Sequence, residues 1–258
     1  MAEKGKKMIY YILPVLSIGI LVVLWGVLCV QKPDIMPTPA AVIKKIADIT
    51  VNPISNATLP VHILVSLGRV LSAFAAACVF GIVLGILMGW YPTFHDIAWP
   101  VFEIIRPIPP IAWIPLIILW CGIGETSKVI IVFIGAVVPI VLNTYSGIRQ
   151  VDPMLFKAAK SVGAGDRATM FEVVLPASLP SIVAGMKTSL STGWMCVLAA
   201  EMVVARQGVG FLIVRGMDSG DSALILSGMV VIGVVSALIT ALLNRAEVKL
   251  CPWRTEQR

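Results

Sequence analysis

The chain has 258 residues, 58% of them apolar and only 13% charged, with a formal net charge of +6. A soluble domain carries about 25% charged residues because its surface must be wetted, so this composition excludes a soluble enzyme and a disordered tail. The basic residues are scattered rather than gathered on one stripe, which excludes a nucleic-acid binder.

What remains is an all-α integral membrane protein. Crossing the roughly 30 Å hydrocarbon core takes about 20 largely apolar residues, and several stretches of the chain are free of Asp, Glu, Lys and Arg. Met8–Gln31 is the first. Its basic flank (Lys4, Lys6, Lys7) suits a signal peptide, but the run is longer than a signal h-region and no small-residue cleavage site follows, so no cleaved leader is expected. Next, Thr38-Pro39 predicts a helix start, with Val42, Ile43, Ile46 and Ile49 on one face. That pattern fits a short helix lying on the outer membrane surface. Ile49–Gly68 is also free of charge, yet Asn52, Pro53, Asn56 and Pro60 make its first half a connector and its end the start of the second span.

Further spans are predicted over Val70–His95, Pro107–Gly124, Val129–Ile148 and Ser222–Asn244, and over Thr188–Ala205, which carries only Glu201. The total is six. Gly81, Gly85 and Gly89 form a small-residue stripe on the second span that permits close helix approach. In the third, Pro107, Pro109, Pro110 and Pro115 remove backbone donors and bend the helix. Carbonyls freed in this way need neighbouring helices or cavity water, so the broken helix is expected to line the pathway.

Lys and Arg in short loops orient the chain. With the N-terminus cytoplasmic, the inner segments hold nearly twice as many basic residues as the outer ones, which contain Lys32, Lys44, Lys45, Lys128, Arg206 and Arg215, with Arg69 near that face. Both termini are therefore expected inside. The five cysteines form no CxxC pair, and His62 and His95 flank a span at opposite ends as interface residues. Neither a metal site nor a catalytic triad can be assembled from them. Charges within spans are functional candidates. Arg106 can attract an anion or snorkel to the interface. Glu201 would repel an anion, which favours a structural ion pair or hydrogen bond near the outer face.

The loop from about Arg149 to Pro180 is the most informative segment. Asp152-Pro153 predicts the start of a helix over Met154–Val162, with Leu155, Ala158, Ala159 and Val162 on one side and Lys157 and Lys160 on another. Gly163 ends it, and Asp166 caps a second short helix that stops at Leu175-Pro176. Such a helix suits either a partner's groove or rest against lipid headgroups. The order Lys157-Ala158-Ala159, three residues, Gly163, nine residues, Val173-Val174-Leu175-Pro176 resembles the EAA motif of ABC importer permeases, with Lys157 in place of Glu and Val173 in place of Ile. Arg106-Pro107-Ile108-Pro109-Pro110-Ile111-Ala112-Trp113, Gly122-Ile123-Gly124-Glu125, Met36-Pro37-Thr38-Pro39, Glu201-Met202 and Gly208-Val209-Gly210-Phe211 resemble stretches of the nitrate/sulfonate/taurine permeases. The Arg-Pro-x-Pro-Pro form and Pro252-Trp253 are most similar to those of the taurine members.

This resemblance implies a type I ABC importer (MetI-like) permease fold of six transmembrane helices. It would comprise an N-terminal part over 1–62, a core over 63–250 and a cytoplasmic tail over 251–258. The implied cargo is taurine or another sulfonate, with nitrate or a related anion as the alternative. An ion-coupled secondary transporter would favour repeated halves, and no internal repeat is found. The resemblance further implies a multi-pass protein of the bacterial plasma (inner) membrane, not itself an enzyme. Its partners would be a second copy of itself, two copies of an ATP-binding subunit and a periplasmic or surface-tethered substrate-binding protein. The chain would bind no cofactor, ATP and Mg being used by the partner subunit; no Walker A pattern occurs in it. Lys157, Ala158, Ala159, Gly163, Val173, Leu175 and Pro176 would couple it to the ATPase, and Arg106, Pro109, Pro110, Trp113 and Glu201 are the pathway candidates.

Overall fold

The computed structural model describes residues 2–31 and 36–250. The expected tail 251–258, with Cys251 and the Pro252-Trp253 pair, and Lys32 lie outside the described residues. In chain order the helices are α1 (Ala2–Gln31), α2 (Pro39–Val51), α3 (Leu59–Trp90), α4 (Pro92–Ile105), α5 (Ile114–Cys121), α6 (Glu125–Arg149), α7 (Pro153–Ser161), α8 (Asp166–Ala168), α9 (Leu175–Val204), α10 (Val209–Ser219) and α11 (Ser222–Leu250). A β-bridge joins Ile54 to Ala57 across a tight turn in which Ser55 and Asn56 take positive φ.

Helix α6 is the spine, packed between α3 and α9. The expected glycine stripe explains how closely it approaches α3. A Cβ at Gly81 would stand 2.9 Å from Ile140, one at Gly85 2.6 Å from Thr144 and one at Gly89 2.9 Å from Ile148. The other face of α6 meets α9 through Gly185 against Asn143 and Gly147 against Ser181.

The second span, expected to start at the end of the Ile49–Gly68 stretch, begins with α3 at Leu59. One predicted span begins too late: α9 starts at Leu175 rather than Thr188, because Lys187 lies inside the helix and does not end it. Helix α3 ends at Trp90, short of His95. Tyr91 precedes a proline and is extended at φ −102°, and Pro92 opens a new helix. Four helical stretches (α3, α6, Asp166–Val204 and Ser222–Arg245) are long and apolar enough to cross a membrane, and α4 with the Pro110–Cys121 segment, bent by 84°, makes a fifth if the pair is one span. The bend falls at Arg106–Pro109, in the proline cluster, as expected. Helix α1, 30 residues long and apolar from Met8 onward, supplies the sixth run.

Helix α2 begins as predicted. The Thr38 hydroxyl accepts the Ala41 N–H at 3.2 Å, and Pro39 occupies the first turn. It packs on protein rather than resting on lipid alone: Val42 and Ile49 are buried against α3, α10 and α11, whereas Ile43 is 68% exposed. Lys45 pairs with Asp221 at 2.7 Å, and the Asp221 carboxylate also accepts the Leu224 N–H at the start of α11.

Candidate functional site

The two ends of the α3–α6–α9 core carry different features. One end holds a buried polar cluster centred on Arg69. This side chain is 5% exposed, and its Nε and Nη2 donate to both oxygens of Glu125 at 2.6 and 2.7 Å. Its Nη1 donates to Glu201 Oε1 at 2.7 Å and to the Gln207 carbonyl at 2.8 Å. Glu201 is 1% exposed. It accepts the Ser66 hydroxyl at 2.7 Å and the Gly210 N–H at 2.9 Å, and Ser66 in turn accepts the Val209 N–H at 3.0 Å. Lys128 Nζ reaches Glu125 Oε1 at 2.7 Å.

Glycine at 208 is required twice over. Its φ is +126°, and a Cβ there would run into the Glu201 carboxylate. His62, expected at an interface, is instead fully buried. Its Nδ1 accepts the Gly208 N–H at 3.0 Å, so the ring proton sits on Nε2, which faces the Ile54 carbonyl at 3.2 Å. The cluster thus ties α3, α6, α9 and the loops around Ile54 and Gly208 into one unit. Removing a charge from water is costly unless it is paired and hydrogen-bonded; the buried Glu201 meets both conditions, and Glu125, its side chain 64% exposed, pairs with Arg69 from the rim. This arrangement makes a rigid strut and leaves no free acid, base or nucleophile. No group of three His, Cys, Asp or Glu able to hold a metal occurs among the described residues.

At the opposite end is the loop between α6 and α9. Asp152 Oδ1 accepts the Met154 N–H at 2.8 Å and caps α7. The helix stops in a Schellman motif: the Gly163 N–H donates to Lys160 and the Ala164 N–H to Ala159, both at 3.0 Å, with Gly163 at φ +81°. The faces differ from the predicted ones. Ala159 is buried and Phe156 stacks on Trp90 with ring centroids 6.1 Å apart, so this side holds α7 to the core. Met154, Leu155, Ala158 and Val162 are exposed, Val162 at 82%, as is Lys157.

The second short helix does not stop at Leu175-Pro176. Asp166 is its first residue and Gly165 its cap, and α8 passes through a π-helical turn, Thr169–Val174, into α9. Pro176 offers no N–H to the Glu172 carbonyl, and the wider turn just before it absorbs that mismatch without ending the helix. Val173, Leu175 and Pro176 are half-buried there.

The pathway candidates separate. Arg106, Pro110 and Trp113 line an apolar hollow of about 700 Å³ between α3, α4 and α6, and Pro109 precedes the 3-10 turn Pro110–Trp113. Arg106 lies 3.2 Å from Glu103, one helical turn back. Glu201 belongs to the polar cluster at the Arg69 end. The partners Ser66, Arg69, Glu125 and Lys128 were not singled out from sequence. The available signal was the Glu201…Gly208-Val209-Gly210 spacing, in which small residues make room for a carboxylate.

Residues 81–252 match the family model described as "binding-protein-dependent transport system inner membrane component". The taurine transport system permease protein TauC of Escherichia coli K12 is 36% identical over 248 residues, covering 93% of this chain and 90% of that protein. The nitrate import permease protein NrtB of Synechocystis is 31% identical over 88% of this chain and 84% of its own length. Among solved structures, a chain of the inward-facing MetNI methionine ABC transporter superposes with a TM-score of 0.65 at 19% identity, over 73% of this chain and 94% of that one, a likeness of fold. The fold is that of the MetI-like type I importer permeases, and the chain belongs to the inner membrane components of binding-protein-dependent transport systems.

Proposed function

We propose that this permease imports taurine or another small sulfonate, using ATP hydrolysed with Mg on a separate subunit that docks on α7. The observation that carries the docking is the outward apolar face of α7, Met154, Leu155, Ala158 and Val162, on a helix capped at both ends and fastened to the core by Phe156 and Ala159. An exposed apolar stripe ringed by polar residues fits helix-in-groove recognition. Lys157 and Ala158 then meet the partner, Ala159 anchors the helix, Gly163 sets its exit, and Val173, Leu175 and Pro176 pass its displacement into α9. Two copies of the chain enclose the pathway beneath a substrate-binding protein, with both termini in the cytoplasm and the Arg69 end facing outside. Arg106, Pro109, Pro110 and Trp113 at the 84° bend are the moving part of that pathway, and Glu201 is a strut rather than a cargo contact. The 36% identical taurine permease supports the sulfonate reading, and the 31% identical nitrate permease supports nitrate as the second one.

Co-purification tests the docking. The tagged chain is expected to bring down its ATP-binding subunit in mild detergent, and Leu155→Asp with Val162→Asp is expected to release it. Undiminished recovery with the charged face would refute α7 as the docking element.

A further inference from the structure

A second hollow, of about 840 Å³, opens at the Arg69 end between the Ser55-Asn56 turn, the start of α6 and the loop after α9. Four cationic side chains line it, Arg69, Lys128, Arg206 and Arg215, against one carboxylate, Glu125. The charges are not balanced. Arg69 is taken up by Glu125 and Glu201, and Lys128 by Glu125. Arg206 and Arg215 are exposed and make no ion pair with a described residue. A guanidinium presents a planar fork of donors that matches an oxyanion, and two of them on one concave wall raise the local anion concentration.

We infer that this hollow binds an oxyanion group, such as the sulfonate of a small organic acid, between Arg206 and Arg215. Glu125 receives three donors, from Arg69 Nε, Arg69 Nη2 and Lys128 Nζ, so its charge is already offset by two cations of the same wall. The hollow therefore reads the anionic end of the ligand, and ethanesulfonate binds about as well as taurine. Its role as an entry site on the outer face rests on the proposed function; the binding does not.

The test is calorimetric titration of the assembled transporter in phosphatidylcholine nanodiscs with ethanesulfonate and with taurine, for the wild type and for Arg206→Gln with Arg215→Gln. Neither arginine is paired or buried, so the variant should keep the wild-type unfolding temperature. Saturable binding, weakened about tenfold or more in the variant, is the expected result. Equal binding by both proteins, or binding by neither when the wild type also retains no phosphatidylglycerol, overturns the inference. So does a variant that binds ethanesulfonate normally but has lost affinity for the substrate-binding protein, which would make the surface a protein dock. The phosphate of an anionic lipid shares this chemistry. Phosphatidylglycerol retained by the wild type and lost from the variant, with no soluble anion bound, supports the oxyanion site and assigns it to a headgroup. Binding as expected without ATP-driven sulfonate uptake leaves the site standing and removes the proposed cargo.

Discussion

Arg69 and Glu201 lie 132 residues apart in sequence and meet at 2.7 Å, their side chains 5% and 0% exposed. The pair joins α3 to α9 at the end of the molecule remote from α7. Breaking a buried pair by removing one partner typically costs about 3–5 kcal/mol, because the remaining charge stays buried. Glu201→Ala is therefore expected to lower the unfolding temperature in detergent sharply. Glu201→Gln should do less damage, since an amide oxygen still accepts from Ser66 and Gly210. An alanine variant as stable as the wild type would show that the pair is not a strut.

The glycine stripe on α3 makes a contrast within one helix. A methyl at Gly85 would meet Thr144 at 2.6 Å and the Val141 carbonyl at 3.0 Å, whereas nothing lies within 4 Å of one at Gly68. Gly85→Ala should destabilise by about 1–3 kcal/mol through overpacking. Gly68→Ala should be neutral or stabilising by up to about 1 kcal/mol, because glycine is a poor helix former. Thermal unfolding of the two variants side by side checks both signs.

Gly163 tests backbone conformation free of crowding. Its φ is +81° and no atom lies within 4 Å of a would-be Cβ. Gly163→Ala should cost about 1–2 kcal/mol from the left-handed conformation alone, and Gly163→Asn less. The damage should stay local, seen as faster hydrogen exchange of α7 amides and weaker retention of the ATP-binding subunit.

The Lys45–Asp221 pair gives a pH dependence. Partial burial pushes the Asp221 carboxyl upward, but the Lys45 ammonium and the backbone N–H groups of Leu224 and Ala223 outweigh it and hold the group below its ordinary value of 3.8. A depressed folded value means that the stabilisation is present above 3.8 and is lost as pH falls through the lower folded value. Asp221→Asn keeps the helix cap but removes the charge. It should cost no more than about 1 kcal/mol at pH 7, and the difference from wild type should shrink below pH 3.8 and vanish once the pH is under the lower folded value. A gap that persists in acid would contradict the assignment.

Much of this architecture was legible in the sequence wherever the signal is local. Thr38 and Asp152 cap the helices they were expected to cap, the proline cluster marks the 84° bend, and the Gly81–Gly85–Gly89 spacing marks the close approach of α3 to α6. The differences lie elsewhere. A charge does not by itself end a helix: Lys187 lies inside α9, which begins at Leu175 rather than Thr188, just as Arg69 stays inside α3 with its charge met by Glu125 and Glu201, neither of them near it in sequence. Pro176 was read as a helix stop, and a π-helical turn carries the chain past it. The inward face of α7 differs from the expected one because Phe156 stacks on Trp90 and Ala159 is buried, an environment that only the folded chain creates.

The most direct measurement is uptake of labelled taurine into proteoliposomes containing the permease, its ATP-binding subunit and the substrate-binding protein. The account predicts uptake that requires internal ATP and is abolished by Leu155→Asp with Val162→Asp, while the variant permease keeps its wild-type unfolding temperature. Uptake that continues without ATP, or that survives a charged α7 face, would contradict it.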